Sequence, residues 1–263
     1  MIVVNFLVEN SKNELDLETN IVTELLDKNK YLHTYQKVSL SDINNILNDK
    51  PYIPIGTIPF VEKYLRKVYG IQKENPIEIP EYLRTDEFLK RDYKLMHWQE
   101  VPRHGIYFLK DVSNLKKFGK IVNATYEVFD ELWTYEKKNN YDSTLVLDKD
   151  ALYAVSEVFH VLSEYRVYVF QREIEQISYY NGDCTVFPDI DLIKKAVSLI
   201  NYNEKWLQSY TIDVMVGKSG TAIIEIHNFT SCGLYSTLWS DNLLQAYKDG
   251  IDYIINDNKE LNY

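Results

Sequence analysis

Two acidic residues interrupt runs that are otherwise β-branched and apolar: Asp213 within Thr211-Ile-Asp-Val-Met, and Glu225 within Ile223-Ile-Glu-Ile-His-Asn. A Gly217-Lys-Ser-Gly220 turn separates the runs, so together they read as a β-hairpin. A strand serving only a core would not carry a central carboxylate, because burying an unpaired charge is costly. Two acids facing each other across a hairpin repel unless something positive lies between them, and a divalent metal is the obvious candidate. Side chains alternate along a strand, which groups Thr211, Asp213 and Met215 on one face and Ile223, Glu225 and His227 on a face of the partner. A loop of odd length centred on Ser219 sets Asp213 opposite Glu225, whereas a slip of one residue loses the facing. His227 and Asn228 adjoin Glu225 and are further candidates for the same chemistry.

Lys110 ends the apolar run Ile106-Tyr-Phe-Leu-Lys, just before the basic loop Lys116-Lys117-Phe-Gly-Lys120. It reads either as a solvated strand-end lysine or as a phosphate-binding one. Glu164 and Arg166 share one face of Ser163-Glu-Tyr-Arg. They form either an intrastrand ion pair, worth about 0–1 kcal/mol, or a strand floor. In the second case the acid accepts hydrogen bonds from sugar hydroxyls and the arginine grips phosphate or carboxylate. His33, His97, His104 and His160 show no ligand spacing and read as structural or surface residues. Neither G-x-x-x-x-G-K nor G-x-G-x-x-G occurs, and nine glycines in all do not suggest a glycine-dominated phosphate cradle.

A chain of 263 residues fits two modest domains or one domain with an appended lobe. With 29 basic and 39 acidic residues the net charge is −10, a poor balance for generic nucleic-acid or membrane-surface binding. Cys184 and Cys232 are too few for a disulfide framework and read as buried thiols in a reducing compartment. The start, Met1-Ile-Val-Val-Asn-Phe-Leu-Val, lacks a basic n-region and a cleavage site, so it reads as a first strand. A cytoplasmic location is the expectation.

The elements that must hold these residues follow from periodicity. Helical spacing is expected over residues 14–27, 60–69, 189–200 and 241–255, and capping residues precede Ile43. Strands are expected over residues 2–8, 105–111, 144–147, 153–159 and 165–170. Three prolines and a glycine in residues 51–59 force a strand-and-turn passage. Residues 70–82 read as a linker after a small α/β unit over residues 1–80. Asn181-Gly182 is read as a hairpin turn.

The order of these parts resembles the ATP-grasp fold. The matching pieces are Phe108-Leu-Lys-Asp, Ser156-Glu-Val-Phe, Ser163-Glu-Tyr-Arg, Ile212-Asp-Val and Ile224-Glu-Ile-His-Asn-Phe, the last resembling the family's E-x-N metal motif. Pro54-Ile-Gly-Thr-Ile-Pro-Phe resembles the N-terminal element of a bacterial and phage branch named for two arginines and a lysine. The resemblance implies an α/β (α+β) chain in which two α+β subdomains sandwich ATP behind a small α/β domain. It implies divisions at residues 1–80, 81–160 and 161–263. It further implies that Lys110 and Lys117 contact ATP phosphates, and that Ser156, Glu157, Val158 and Phe159 form a hinge holding adenine. Glu164 would bind ribose, and Arg166 would face the phosphates or the reacting carboxylate. Asp213 and Glu225 would hold Mg²⁺, with His227 or Asn228 beside them.

The implied activity is an ATP-dependent carboxylate–amine ligase acting through an acyl phosphate on small-molecule or peptide substrates. The alternatives are a nucleotide-binding or interaction protein with reduced catalysis and an ATP-grasp phosphotransferase. The chain departs from the family at His227, where Asn is usual, and at Thr211, where Arg is common. Mn²⁺ is therefore a second candidate ion. With no glycine-rich lid, phosphate cover must come from residues 113–120. Specificity is expected from residues 1–80 and from the loop around residues 228–235.

Overall fold

The computed structural model describes residues 4–10, 17–46, 51–72, 77–112, 119–124, 152–230, 233–235, 240 and 242–260. The expected strand over residues 144–147, Lys116, Lys117 and Cys232 lie outside the described residues. Cys184 is exposed, not buried as its residue type suggested.

The first unit is a parallel sheet of β1 (Val4–Glu9), β2 (His33–Val38) and β3 (Ile53–Ile55), in the order β2-β1-β3. Helices α1 (Leu17–Lys28) and α2 (Ile58–Tyr69) accompany it. Parallel strands are covered on both faces, and β1 obeys this. Phe6 and Val8 pack in one core with Leu25 and Leu26, while Leu7 packs in another with Phe60 and Tyr64.

The second sheet is antiparallel, in the order β4-β7-β5-β6, with β4 at Tyr93–His97, β5 at Gly105–Asp111, β6 at Gly119–Ala124 and β7 at Leu152–Ser156. Its core is Trp98, Tyr107, Leu109, Val122 and Tyr153. Strands β2, β4 and β6 interrupt their apolar residues with Thr34, Gln36 and Lys37, with Lys94 and His97, and with Lys120 and Asn123, and they escaped the periodicity reading.

The third sheet, in the order β11-β10-β8-β9, comprises β8 (Ser163–Phe170), β9 (Glu173–Gly182), β10 (Tyr210–Gly217) and β11 (Gly220–Asn228). One face packs Val167, Ile212 and Ile226 against α4 (Ile190–Asn203) and against Leu83 and Phe88 of the short helical segment α3 (Asp86–Leu89) and the turn before it. The apolar stripe Ile193, Ala196, Val197 and Ile200 makes α4 amphipathic. Asp189 caps its start, accepting from the backbone N–H groups of Asp191 and Leu192 at 2.9 and 3.1 Å. At one end of the other face, Tyr168, Phe170 and Phe229 meet Phe6 and Val8 of the first sheet and Tyr247 of α5 (Leu243–Glu260). Further along the same face lie Arg166, Asp213 and Glu225.

Two turns differ from their sequence reading. The β8–β9 hairpin turns at Gln171 and Arg172, with φ of 48° and 72°, which matches the right-handed twist of the flanking strands. Asn181-Gly182 instead ends β9. Gly182 has φ 90°, and a Cβ there would collide with the Leu162 carbonyl oxygen. The β10–β11 loop has two residues, Lys218 and Ser219, between the paired Gly217 and Gly220. That even loop alone would set Asp213 opposite Ile224. A bulge corrects the register: Val214 pairs with Ile223 but Asp213 pairs with Glu225, leaving Ile224 as the extra residue. Ile223 therefore faces the core, not the side shared by Glu225 and His227.

Gly182→Ala combines an unfavourable φ with a backbone collision. We expect it to destabilise the fold by about 1–3 kcal/mol, read as a lower urea midpoint at unchanged m-value.

Candidate functional site

The two carboxylates are neutralised by cations from different places. Arg166, one strand over on β8 and directly opposite Asp213 in the ladder, is bidentate to it. Its Nε donates to Oδ1 at 2.7 Å and its Nη2 to Oδ2 at 2.8 Å. Both side chains are almost fully buried, at 5% and 4% exposure, so the pair is held in a weakly screening environment. Lys110 reaches across from β5 of the second sheet and hydrogen-bonds Glu225. On the other side of that carboxylate, His227 Nε2 lies 2.7 Å from Oε1. Burial acts to raise the Glu225 carboxyl. The hydrogen bond and charge of His227, followed by the charge of Lys110, overcome it and hold the group well below the usual carboxylate range.

Between the second and third sheets lies a cleft of about 390 Å³. Lys110, Asp111, Arg91, Glu225 and His227 supply its polar wall, and Ile77, Ile79, Phe108, Val112 and Ile226 its apolar one. Arg91 donates to the backbone carbonyls of Leu89 and Ile223 at 2.9 and 3.0 Å, and burial pulls its guanidinium down to about 10. It stays charged at neutral pH, fixed at the cleft edge.

Ligand atoms of Asp213, Glu225 and His227 lie within 4.8 Å of one another, a donor set that could hold a metal ion. Thr211 Oγ1 is buried without a partner, on the Asp213 face and across the ladder from His227. That orphaned atom in the floor of the donor set is the polar lining expected beside a hydrated ion. Asn228 does not join the set. It points to the opposite face from His227, and its Oδ1 accepts from Thr230 N and Oγ1 at 3.0 and 2.6 Å.

The remaining sequence candidates are spread around this centre. Ser156 lines the cleft at the end of β7, but Glu157, Val158 and Phe159 do not. Glu157 instead exchanges hydrogen bonds with the Asp92 backbone at 3.1 and 3.2 Å. Phe159 presses on the hairpin end, where a Cβ on Gly217 would collide with its ring. Glu164 accepts from Asn181 Nδ2 at 3.3 Å, on the Arg166 face but outside the cleft. Lys117 falls outside the described residues.

Sequence reasoning missed Arg91, Tyr180 and Tyr235. The guanidinium of Arg166 lies 4.3 Å from the Tyr235 ring centre, and Tyr235 stacks on Tyr180 at 4.7 Å. Burial, then the Asp213 and Glu164 charges, push the Tyr180 phenol upward. In a chain with twenty-two tyrosines, no single one stands out by type.

Asp213→Ala strips the buried Arg166 of its bidentate carboxylate and should cost about 3–5 kcal/mol of stability, measurable by urea unfolding. The depressed Glu225 carboxyl contributes stability present above its ordinary value of 4.5 and lost as pH falls through the folded value. In metal-free protein we therefore expect stability to decline below about pH 4.5 and Glu225→Gln to flatten that decline, as read from melting temperature against pH.

Comparison with known proteins bears on this arrangement. A family model for an ATP-grasp domain, the second family of its clade, matches residues 88–244. The fold is similar to D-alanine–D-alanine ligase from Bacillus anthracis complexed with ATP, at 17% identity and TM-score 0.50, covering 98% of each chain. It is similar to a RimK domain protein ATP-grasp from Sphaerobacter thermophilus, at 10% identity and TM-score 0.55, covering 97% of this chain and 98% of that one. An L-amino acid ligase from Bacillus licheniformis gives 10% identity and TM-score 0.53, covering 96% of this chain and 75% of that one. A search of the curated proteins returned no match.

Proposed function

The chain belongs to the ATP-grasp family, and from that premise we propose that it is an ATP-dependent ligase joining a carboxylate to an amine. The observation that carries the reading is the cleft between the two four-stranded sheets. Lys110 of one sheet and Glu225 of the other meet across it, beside the Asp213–His227 donor set.

In this reading ATP occupies the cleft with its base toward the apolar wall and Ser156, and with Glu157, Val158 and Phe159 as the hinge behind it. Lys110, aided by Arg91 and Lys117, holds the phosphates. Glu164 binds the ribose, which requires it to exchange its Asn181 contact for a hydroxyl. Arg91, Arg166 and Lys110, all bordering the site, support placement in the branch named for two arginines and a lysine. The division at residues 1–80, 81–160 and 161–263 is part of the proposal, as is a cytoplasmic setting. Among the described residues no helix is long and apolar enough to cross a membrane.

Asp213 and Glu225, with His227, would hold the divalent ion, Mg²⁺ or Mn²⁺. Such an ion supplies neutralisation of phosphate oxygen charge. The chain's own residues do the positioning. Arg166 fixes the Asp213 carboxylate by two hydrogen bonds, and Lys110 offers its ammonium to a phosphate in place of Glu225. A carboxylate oxygen of the acid substrate attacks the γ-phosphorus, the bond to the β-phosphate oxygen breaks, and ADP leaves. An amine then attacks the acyl carbon of the acyl phosphate. Inorganic phosphate leaves, the amine loses a proton, and an amide remains.

One observation favours a second reading, a nucleotide binder without turnover: both Asp213 oxygens are already engaged by Arg166. Calorimetric titration with ATP, with and without Mg²⁺ or Mn²⁺, followed by phosphate release across panels of amino acids and short peptides, decides between them. We expect metal-dependent ATP binding and amine-dependent phosphate release, with Asp213→Asn and Glu225→Gln each lowering turnover about 100-fold or more. Binding without turnover selects the second reading, phosphoryl transfer without amide formation selects a phosphotransferase, and no ATP binding removes all three.

A further inference from the structure

Asp213, Glu225 and His227 together offer two carboxylate oxygens and one imidazole nitrogen. We infer that His227 is itself a ligand, and that the site takes a first-row transition dication, Mn²⁺ foremost, in preference to Mg²⁺. The inference rests on the proposed nucleotide-and-metal reading of the same cleft.

The neighbouring oxygen donor is out of contention. Asn228 lies on the opposite face of β11, and its Oδ1 is held by the backbone and hydroxyl of Thr230. Of the two residues considered beyond Glu225, the one on the site face is therefore the imidazole of His227. Mg²⁺ requires a near-ideal octahedral shell of oxygen and dehydrates reluctantly. Imidazole is a ligand of first-row transition ions; Mn²⁺ binds nitrogen least tightly of that row, but it is the one that shares with Mg²⁺ a preference for oxygen, so it fits a set of two carboxylates and one imidazole. Mn²⁺ also takes the octahedral oxygen shell that carboxylates and phosphates provide.

The setting suits a ligand better than a solvent-facing group. His227 is 7% exposed and sits within the β10–β11 ladder, directly across from Thr211. Thr211 is fully buried, and its Oγ1 has no partner, so a hydroxyl stands beside the imidazole where an ion's water could be received. An imidazole donor also adds coordination without negative charge. Arg166 and Lys110 already balance the two acids one for one. A third carboxylate would have upset that balance.

The competing role for His227 is to orient Glu225 through the 2.7 Å contact without touching the ion. Pulsed EPR on the Mn²⁺-loaded full chain separates the two. We expect a directly coordinated ¹⁴N coupling that changes to ¹⁵N in protein grown with [¹⁵N]histidine and disappears in His227→Asn and His227→Gln. In parallel titrations with Mn²⁺ and Mg²⁺, His227→Asn should lose at least about tenfold of the Mn²⁺-over-Mg²⁺ preference. Mn²⁺ bound without nitrogen coupling, an unchanged preference in His227→Asn, or no Mn²⁺ binding with or without ADP each overturns the inference. If the variants do not fold, the wild-type isotope experiment decides alone. ATP binding measured on the same samples keeps the proposals apart: ATP bound without nitrogen coupling ends only the ligand assignment, whereas no ATP binding ends the ligase reading.

Discussion

Two carboxylates forced to face each other across a ladder must be neutralised, and this requirement organises the centre of the molecule. Asp213 receives its countercharge within its own sheet, from Arg166 on the adjacent strand. Glu225 receives its countercharge from Lys110 on a different sheet. The first solution is rigid and nearly dry, and it fixes the floor. The second spans the cleft, so the same electrostatic need that settles Glu225 also brings the two sheets into register. His227 completes the arrangement from the ladder position two residues beyond Glu225.

The third sheet bears two loads on its second face. Around Tyr168, Phe170 and Phe229 that face is core, sealed by Phe6 and Val8 of the first sheet and by Tyr247 of the C-terminal helix. A few residues along the same strands it becomes the polar site. The transition on β8 takes one alternation, from Tyr168 to Arg166. Tyr168 marks the seam, since its hydroxyl accepts from Tyr235 N at 2.9 Å and donates to the Gly233 carbonyl at 3.3 Å. The loop carrying Tyr235, which covers Arg166, is thus fastened to the border between core and site. The C-terminal helix also contributes Ile251 and Ile254 to the core beneath the first sheet, so the chain's last described element locks its first.

Much of this was legible in the sequence because charges standing in apolar runs are conspicuous. Asp213, Glu225, Lys110 and Arg166 were all found that way, and the structure brings them together. What was hidden has specific causes. Ile223 and Ile224 are the same residue type, so nothing in the letters tells which of them is squeezed out of the ladder. The pairing of Arg166 with Asp213 joins residues 47 apart and depends on strand order, which periodicity does not report. Asn181-Gly182 has the composition of a hairpin turn, yet its glycine serves close approach to Leu162, while Gln171-Arg172 turns the chain without any of the usual turn residues. Arg91 sits in Lys90-Arg-Asp92, a charged run of the kind that usually marks a solvated loop, and only the fold puts it at the cleft.

The bulge at Ile224 gives the hairpin a parity. On the turn side of it, β11 is in phase with the two-residue loop and sends Ile223 into the core; beyond it, the phase is reversed and Glu225 and His227 face the cleft. Loop length and bulge are therefore not independent characters. Ile224 is the residue that a two-residue loop leaves over. Forcing it into the ladder would rotate the acid and the imidazole into the hydrophobic layer beneath α4, whereas deleting it would set Glu225 directly after Ile223, opposite Asp213 in a regular ladder. A loop that took in one more of the existing residues would remove the bulge in the same way. Among related chains, those with one residue fewer between the facing acids should therefore keep a two-residue loop and no bulge.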